Sequence, residues 1–327
     1  MTDPDAQPNE PTTAGSFAHR PVMLDEIVAL VAEVPAGVYV DATLGGAGHA
    51  AAILRSRPDL RLVGLDQDDT AVEAARSSLA DLGDRAVVRR RRFDELADAV
   101  RAELADGEPV VAVLFDLGVS SPQLDQAARG FSYRQKGPLD MRMDRRRSLT
   151  ADEVVNTYDE ERLRRVLVAH GEDRHARRIA RAIVAARPLR TTTQLAEVVR
   201  DAIPAPARRR GGHPATRTFQ AIRIEVNQEL AVLPDAVDQA IEVLAPGGRC
   251  LALTFHSGED RIVKQRFLHA ESGGCTCPPG LPCVCGATPS VRLLRRGGWT
   301  PSAAEQEGNP RSASARLRAV EKLGGAA

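Results

Sequence analysis

Residues 37–50 read GVYVDATLGGAGHA, and their interpretation decides the fold. The run GVYV has the composition of a buried strand, ends on Asp41 and feeds a glycine-rich turn that opens a segment of helical spacing. Glycine lets a backbone turn sharply and approach a ligand closely. Positions 46–51, GAGHAA, fit G-x-G-x-x-G/A, a pattern that sets a dinucleotide at a helix N-terminus, and Asp66 ends the next apolar run where it would hydrogen-bond a ribose. The same turn also serves merely to pack a helix on a strand. The remainder of the chain has to discriminate.

Outward from this stretch, apolar runs bounded by turn residues recur at 60–66 (LRLVGLD), 85–91 (RAVVRRR) and 110–118 (VVAVLFDLG). Between them lie alanine-rich segments with helical periodicity, including one in which Val72, Ala75 and Leu79 share a face. This alternation predicts an α/β fold with a doubly wound parallel sheet. The rhythm stops for about a hundred residues and resumes with a helix, a Pro-Gly-Gly turn, a strand at 249–255 and a further helix. Segments 290–296 and 315–323 read as closing strands. The interruption is helical by pattern: Ala176, Ile179 and Ile183 form one apolar face, and Phe219, Ile222, Val226 and Leu230 another. Arg217, Gln220, Arg223 and Asn227 form a second stripe beside the latter, with donors and acceptors suited to phosphates and bases.

Composition narrows the function classes. The 327 residues, 43% apolar, suffice for one or two domains with a full core. No run of 18 apolar residues occurs, and the acidic, proline-rich segment 1–18 reads as a disordered tail where a signal peptide would be basic and then apolar. A cytoplasmic protein without membrane contact is expected. The net charge is zero, yet residues 128–224 carry 22 basic against 11 acidic side chains, including Arg145, Arg146, Arg147, Arg208, Arg209, Arg210 and the set Arg174, Arg177, Arg178 and Arg181. Such a segment is the footprint of a phosphate-binding surface, although a solvated charged face has the same composition.

Asp41 separates the candidate ligands. A carboxylate at the mouth of the strand would repel a pyrophosphate but attract the ammonium and sulfonium of S-adenosyl-L-methionine. Asp66 then suits the ribose diol, Phe93 the adenine, and Asp116 ends the fourth strand beside them. Strand ends converging on one crevice are where an open α/β sheet binds its ligand.

Four long motifs in fixed order carry a resemblance: DATLGGAGHA (41–50), DLGVSSPQLDQAARGFSYRQKGPLDMRMD (116–144), HPATRTFQAIRIEVNQEL (213–230) and FHSGEDRIVK (255–264). Together they resemble the bacterial ribosomal RNA small-subunit methyltransferase H family, also called MraW, over residues 19–322. The resemblance implies a class I, Rossmann-like methyltransferase sheet formed by 19–124 and 221–327, with an inserted helical RNA-recognition domain at 125–220. It implies methylation of N4 of a decoding-centre cytidine in 16S ribosomal RNA of the small subunit, with S-adenosyl-L-methionine held by Ala47, Gly48, His49, Asp66, Phe93, Asp116 and Gln123. Two positions depart from the family pattern: Gly258 replaces a leucine and Lys136 an aspartate.

Catalytic candidates are Asp116 at its strand end and His256, Glu259 and Asp260 after the fifth strand; Glu259 and Asp260 equally suit capping of the following helix. His19 is a weaker candidate for the cleft wall. No catalytic metal is expected. Cys275, Cys277, Cys283 and Cys285 have the number of thiols for tetrahedral zinc, but C-x-C is tighter than the usual C-x2–4-C, and the alternative is a reduced surface loop. Two rival functions remain at this level. One is a nicotinamide-dependent oxidoreductase, supported by the glycine pattern and Asp66, and the other a non-catalytic RNA-binding assembly factor.

Overall fold

In a computed structural model, which describes residues 20–171, 174–208, 213–278 and 284–324, seven strands form one sheet. They are β1 (Gly37–Asp41), β2 (Leu60–Asp66), β3 (Ala86–Arg90), β4 (Val110–Asp116), β5 (Leu244–Thr254), β6 (Val291–Leu293) and β7 (Arg316–Lys322). Their order is β3-β2-β1-β4-β5-β7-β6; β1 to β5 run parallel, and β7 is antiparallel to both neighbours. Period-two alternation sends side chains to two cores. Tyr39, Leu62 and Leu114 pack with Ile27, Ile53 and Leu54 on one face, and Val38, Val40, Val63 and Leu65 with Leu96, Val237 and Phe267 on the other. Helices on both faces and a strand order that reverses between β1 and β4 open a crevice at the strands' C-terminal ends.

β5 is longer than its sequence suggests. It begins at Leu244, and the Pro-Gly-Gly segment lies inside it as an irregularity, since β4 pairs Val110 with Leu244 but Ala112 with Arg249. Gly247, at φ 78°, takes the left-handed turn that lets the chain rejoin the ladder.

Between β4 and β5 runs a helical unit with its own core, extending from Phe131 to Val226. Its helices Ala151–Thr157, Glu160–Ala169 and Thr192–Ala202 start where Thr150, Asp159 and Thr191 accept a backbone N–H, satisfying one orphan donor each. Ile179 and Ile183 of helix Ala176–Ala185 and Phe219, Ile222 and Val226 of helix Thr216–Asn227 are buried in this core as their spacing predicts. Leu230 packs instead against the sheet's core, because the helix breaks at Gln228 (φ 57°) before resuming as Glu229–Val243. Segment 1–18, His19, Arg209, Arg210 and Cys283 lie outside the described residues.

Candidate functional site

A cleft of about 380 Å³ opens at the crevice, walled by the ends of β1, β2 and β4, by Phe93, by Glu229, Leu230 and Glu259, and by Met143 of the helical unit. The glycine turn is wired to its neighbours by backbone N–H donors reaching both side-chain and backbone oxygens. Asp116 N–H donates to Thr43 Oγ1 (2.6 Å), Leu44 N–H to Leu65 O (2.9 Å) and Gly45 N–H to Asp66 Oδ2 (2.8 Å). A Cβ on Gly48 would lie 2.6 Å from Pro21 Cγ, whereas one on Gly46 would point into open space. Gly48 is therefore required by packing, and Gly46 leaves the floor of the cleft clear.

The sequence candidates divide into three groups. Gly48, His49, Asp66, Phe93, Asp116, Gln123 and Glu259 line the cleft together. Phe93 lines the cleft and packs at 86° to Phe115 with ring centroids 6.2 Å apart, which places an apolar ring in the cleft wall. Asp66 accepts from Gly45 N–H and Asp68 N–H (both 2.8 Å) and retains lone pairs toward the cleft. Gln123 is committed within the protein: its Nε2 donates to Asp68 (2.9 Å) and its Oε1 accepts from Ser120 N–H (3.0 Å). Asp68 is pinned from a second side by Arg129 at 2.8 Å.

A second group sits behind the wall. Ala47 is fully buried and gives its N–H to Leu44 O (2.8 Å), so it shapes the turn without facing the cleft. Asp41 is buried, accepts from Tyr39 Oη (2.9 Å) and Thr43 N–H (3.2 Å), and acts on the cleft only through its charge. His256 caps helix Ser257–Ser272: Nδ1 accepts from Gly258 N–H (3.1 Å), and Nε2 lies 3.0 Å from Glu259 Oε1 but out of line for a hydrogen bond.

The third group points elsewhere. Both oxygens of Asp260 accept from Arg318 of β7 (2.7 and 3.0 Å), and it is not among the residues that line the cleft. The polar stripe of helix Thr216–Asn227 is corrected. Arg223 pairs with Glu229 through two 2.8 Å bonds, and Asn227, 1% exposed, accepts from Met143 N–H (2.8 Å) and donates to Met141 O (2.8 Å). Only Arg217 of the four is exposed. Among the departures, a side chain on Gly258 would meet Leu230 and His256 at 3.0–3.1 Å, and Lys136 is exposed on the helical unit.

Sequence reasoning missed Glu229, a buried carboxylate on the cleft wall, and the role of Met143, which receives a hydrogen bond from Gln67 (3.3 Å) and ties the helical unit to the sheet. The one signal for Glu229 was an acidic residue inside the apolar run Val226, Leu230, Leu233.

Burial dominates the electrostatics. It pushes Asp41 and Asp66 up to about 6 and Asp116 up to about 7, with the Glu259 carboxylate adding to the last. Glu259, though opposed by burial, is held below its usual value by His256, Arg223 and the Phe255 N–H. His49 is lowered by burial. Because its Nε2 lies 2.9 Å from Val22 O, which only accepts, Nε2 carries the hydrogen and Nδ1 presents its lone pair to Asp116 Oδ2 at 3.5 Å. The lining arginines are already engaged, Arg92 with Asp94 and Arg311 with Asp125. A cleft so charged favours a cation over a pyrophosphate. Its carboxylates, clear glycine floor and Phe93 ring fit S-adenosylmethionine, with its ammonium, sulfonium, ribose and adenine.

Comparison with known proteins agrees. Two curated relatives, each called ribosomal RNA small subunit methyltransferase H, come from Symbiobacterium thermophilum (54% identical over 316 residues, 94% of this chain and 98% of that one) and a Paenibacillus species (50% over 317 residues, 94% and 100%). A solved rRNA methylase from Streptococcus thermophilus is 13% identical with a TM-score of 0.41, covering 92% of this chain and 95% of that one. The MraW methylase family model matches residues 16–323, and the chain belongs to that family of S-adenosylmethionine-dependent methyltransferases.

Proposed function

We propose that the protein methylates the N4 amine of a cytidine in the decoding centre of 16S ribosomal RNA, within the small subunit. The observation that carries this reading is the pairing of an acidic cleft with a basic neighbour: Asp66, Asp116 and Glu259 line the cavity, while Arg174, Arg177, Arg178 and Arg181 are exposed on the helical unit. The relatives' name supports the substrate class, and the cytidine and its N4 atom are what the family resemblance carried by the motifs at 116–144 and 213–230 implies.

When bound, S-adenosylmethionine supplies an electrophilic methyl group. Asp66 would accept from its ribose hydroxyls, Phe93 would pack on its adenine, and the charges of Asp41 and Asp116 would attract its cationic end. The backbone at Gly46, Gly48 and His49 would border the same ligand, with Ala47 setting the turn and Gln123 keeping Asp68 in place. Cytosine N4 is a poor nucleophile because its lone pair is delocalised into the ring. Asp116 Oδ2, ionised, takes the proton that N4 must lose as the N–C bond forms, and Glu259 offers a second acceptor to the amine. His256 positions Glu259. Holding the reactants in line contributes roughly 7–11 kcal/mol. The target base has to leave its stack at a cost of a few kcal/mol, offset by contacts with the pocket.

Mass spectrometry of 16S RNA from cells with and without this protein tests the reading. Loss of the N4 methyl from one decoding-centre cytidine is expected; an unchanged level overturns it.

A further inference from the structure

The loop after helix Ser257–Ser272 contributes nothing to the cleft, yet it gathers thiols. The sulfurs of Cys275, Cys277 and Cys285 all lie within 4.8 Å of one another, and those of Cys275 and Cys285 are 3.7 Å apart. A zinc–thiolate bond of about 2.3 Å at tetrahedral angles puts neighbouring sulfurs about 3.8 Å apart. A disulfide would require about 2.05 Å.

The backbone is shaped to hold this arrangement. Gly273, Gly274 and Gly286 adopt φ of 63°, 74° and 72°, turning the chain on both sides of the cluster. A Cβ on Gly273 would lie 2.4 Å from the Thr288 carbonyl carbon, so the two arms are pressed together and residues 275–277 meet 284–286. Val284 N–H donates to Cys277 Sγ (3.4 Å). A backbone donor on sulfur favours the thiolate, the form that binds metals. Apolar burial does not hold the loop: Val284 is 89% exposed, and its described residues between 275 and 290 form neither helix nor strand.

We propose that Cys275, Cys277 and Cys285 bind a zinc ion that fixes the connection between helix Ser257–Ser272 and β6. The pinch at Gly273 relieves the tightness of C-x-C spacing, because ligands arrive from two opposed arms. Cys283 lies outside the described residues, and the three described sulfurs carry the proposal. The site is structural. Thirteen helical residues follow the cleft-lining Glu259, about 20 Å at 1.5 Å per residue, and separate the site from the cleft.

The test uses the full chain purified in reductant and dialysed, with its metal content measured by mass spectrometry. About one zinc per chain is expected, and cobalt replacing it should show thiolate-to-metal charge transfer in the near ultraviolet. Cys275→Ser, Cys277→Ser and Cys285→Ser should each weaken zinc binding on the order of tenfold or more in competition with a chromophoric chelator. Cys250→Ala, at a buried thiol in β5, should leave zinc binding unchanged. Calorimetric binding of S-adenosylmethionine, expected within about twofold of the parent for all variants, reports that each has folded. A chain that takes up neither zinc nor cobalt, or folded loop variants that bind zinc as tightly as the parent, would overturn the site. So would a Cys275–Cys285 disulfide in zinc-free protein purified without reductant.

Discussion

The ends of β1, β2 and β4 each carry an aspartate, and helix Thr216–Asn227 carries Arg217, Gln220, Arg223 and Asn227 at helical spacing. Both sets are rows of polar side chains beside apolar ones. Asp66 and Asp116 open onto the cleft, and Asp41 lies just behind it, because a parallel sheet directs all its strand ends the same way. The helix row scatters: Arg217 reaches solvent, while Arg223 and Asn227 turn inward to Glu229 and to the Met141–Met143 backbone. Strand polarity determines where an end residue goes. Helical spacing determines only which residues share a face, and the neighbours decide what that face meets.

The largest effect expected from this contrast lies within the helix. Arg223→Ala leaves the buried Glu229 carboxylate without its cation and should cost about 3–5 kcal/mol of stability in urea unfolding. Arg217→Ala should stay within about 0.5 kcal/mol. Equal stability of the two variants would restore Arg223 as a surface reader of RNA. At the strand ends, Asp66→Ala should weaken S-adenosylmethionine binding by about 1–3 kcal/mol in calorimetry, through lost ribose contacts and two backbone donors left unpaired at the turn. Unchanged affinity would remove Asp66 from the site.

The smallest effect is a pH dependence. Asp66 at about 6 and Asp116 at about 7 hold protons that the unfolded chain releases near 4, so their contribution to stability of the ligand-free protein is complete below pH 4 and is lost as pH rises to 7. A cationic ligand favours the ionised carboxylates. Its affinity should therefore rise between pH 5 and pH 7, by at most about tenfold per unit for each proton released. Calorimetry in two buffers of different ionisation enthalpy counts those protons, and a flat profile would place neither carboxylate against the cation.

What the sequence disclosed follows the same division. β1, β2 and β4 were legible because each is an apolar run buried on both faces and ended by an aspartate, and Asp66, Phe93 and Asp116 follow from where strands stop, whereas Gly48, His49 and Gln123 were implied only by the family resemblance. The start of β5 was not, since Pro246, Gly247 and Gly248 carry the composition of a turn while the ladder continues past them. Glu229 was hidden for a geometric reason. Six residues from Arg223, it would sit on a different face of an unbroken helix, and only the left-handed break at Gln228 brings the two together. The cysteines were visible as candidates, but the meeting of the Cys275, Cys277 and Cys285 sulfurs was not, because the glycine pinch that opposes their arms leaves no periodic trace.

That break has a consequence for how the protein is assembled from parts. Helix Glu229–Val243 by itself spans the crossover from β4 to β5, which are hydrogen-bonded neighbours. The helical unit from Phe131 to Gln228 is a detour from a connection already complete, so its length can change without altering a rung of the sheet. The unit is still fastened to the sheet at other points, by Arg129 on Asp68 (2.8 Å) and Gln67 on Met143 (3.3 Å), and any exchange has to keep those seams.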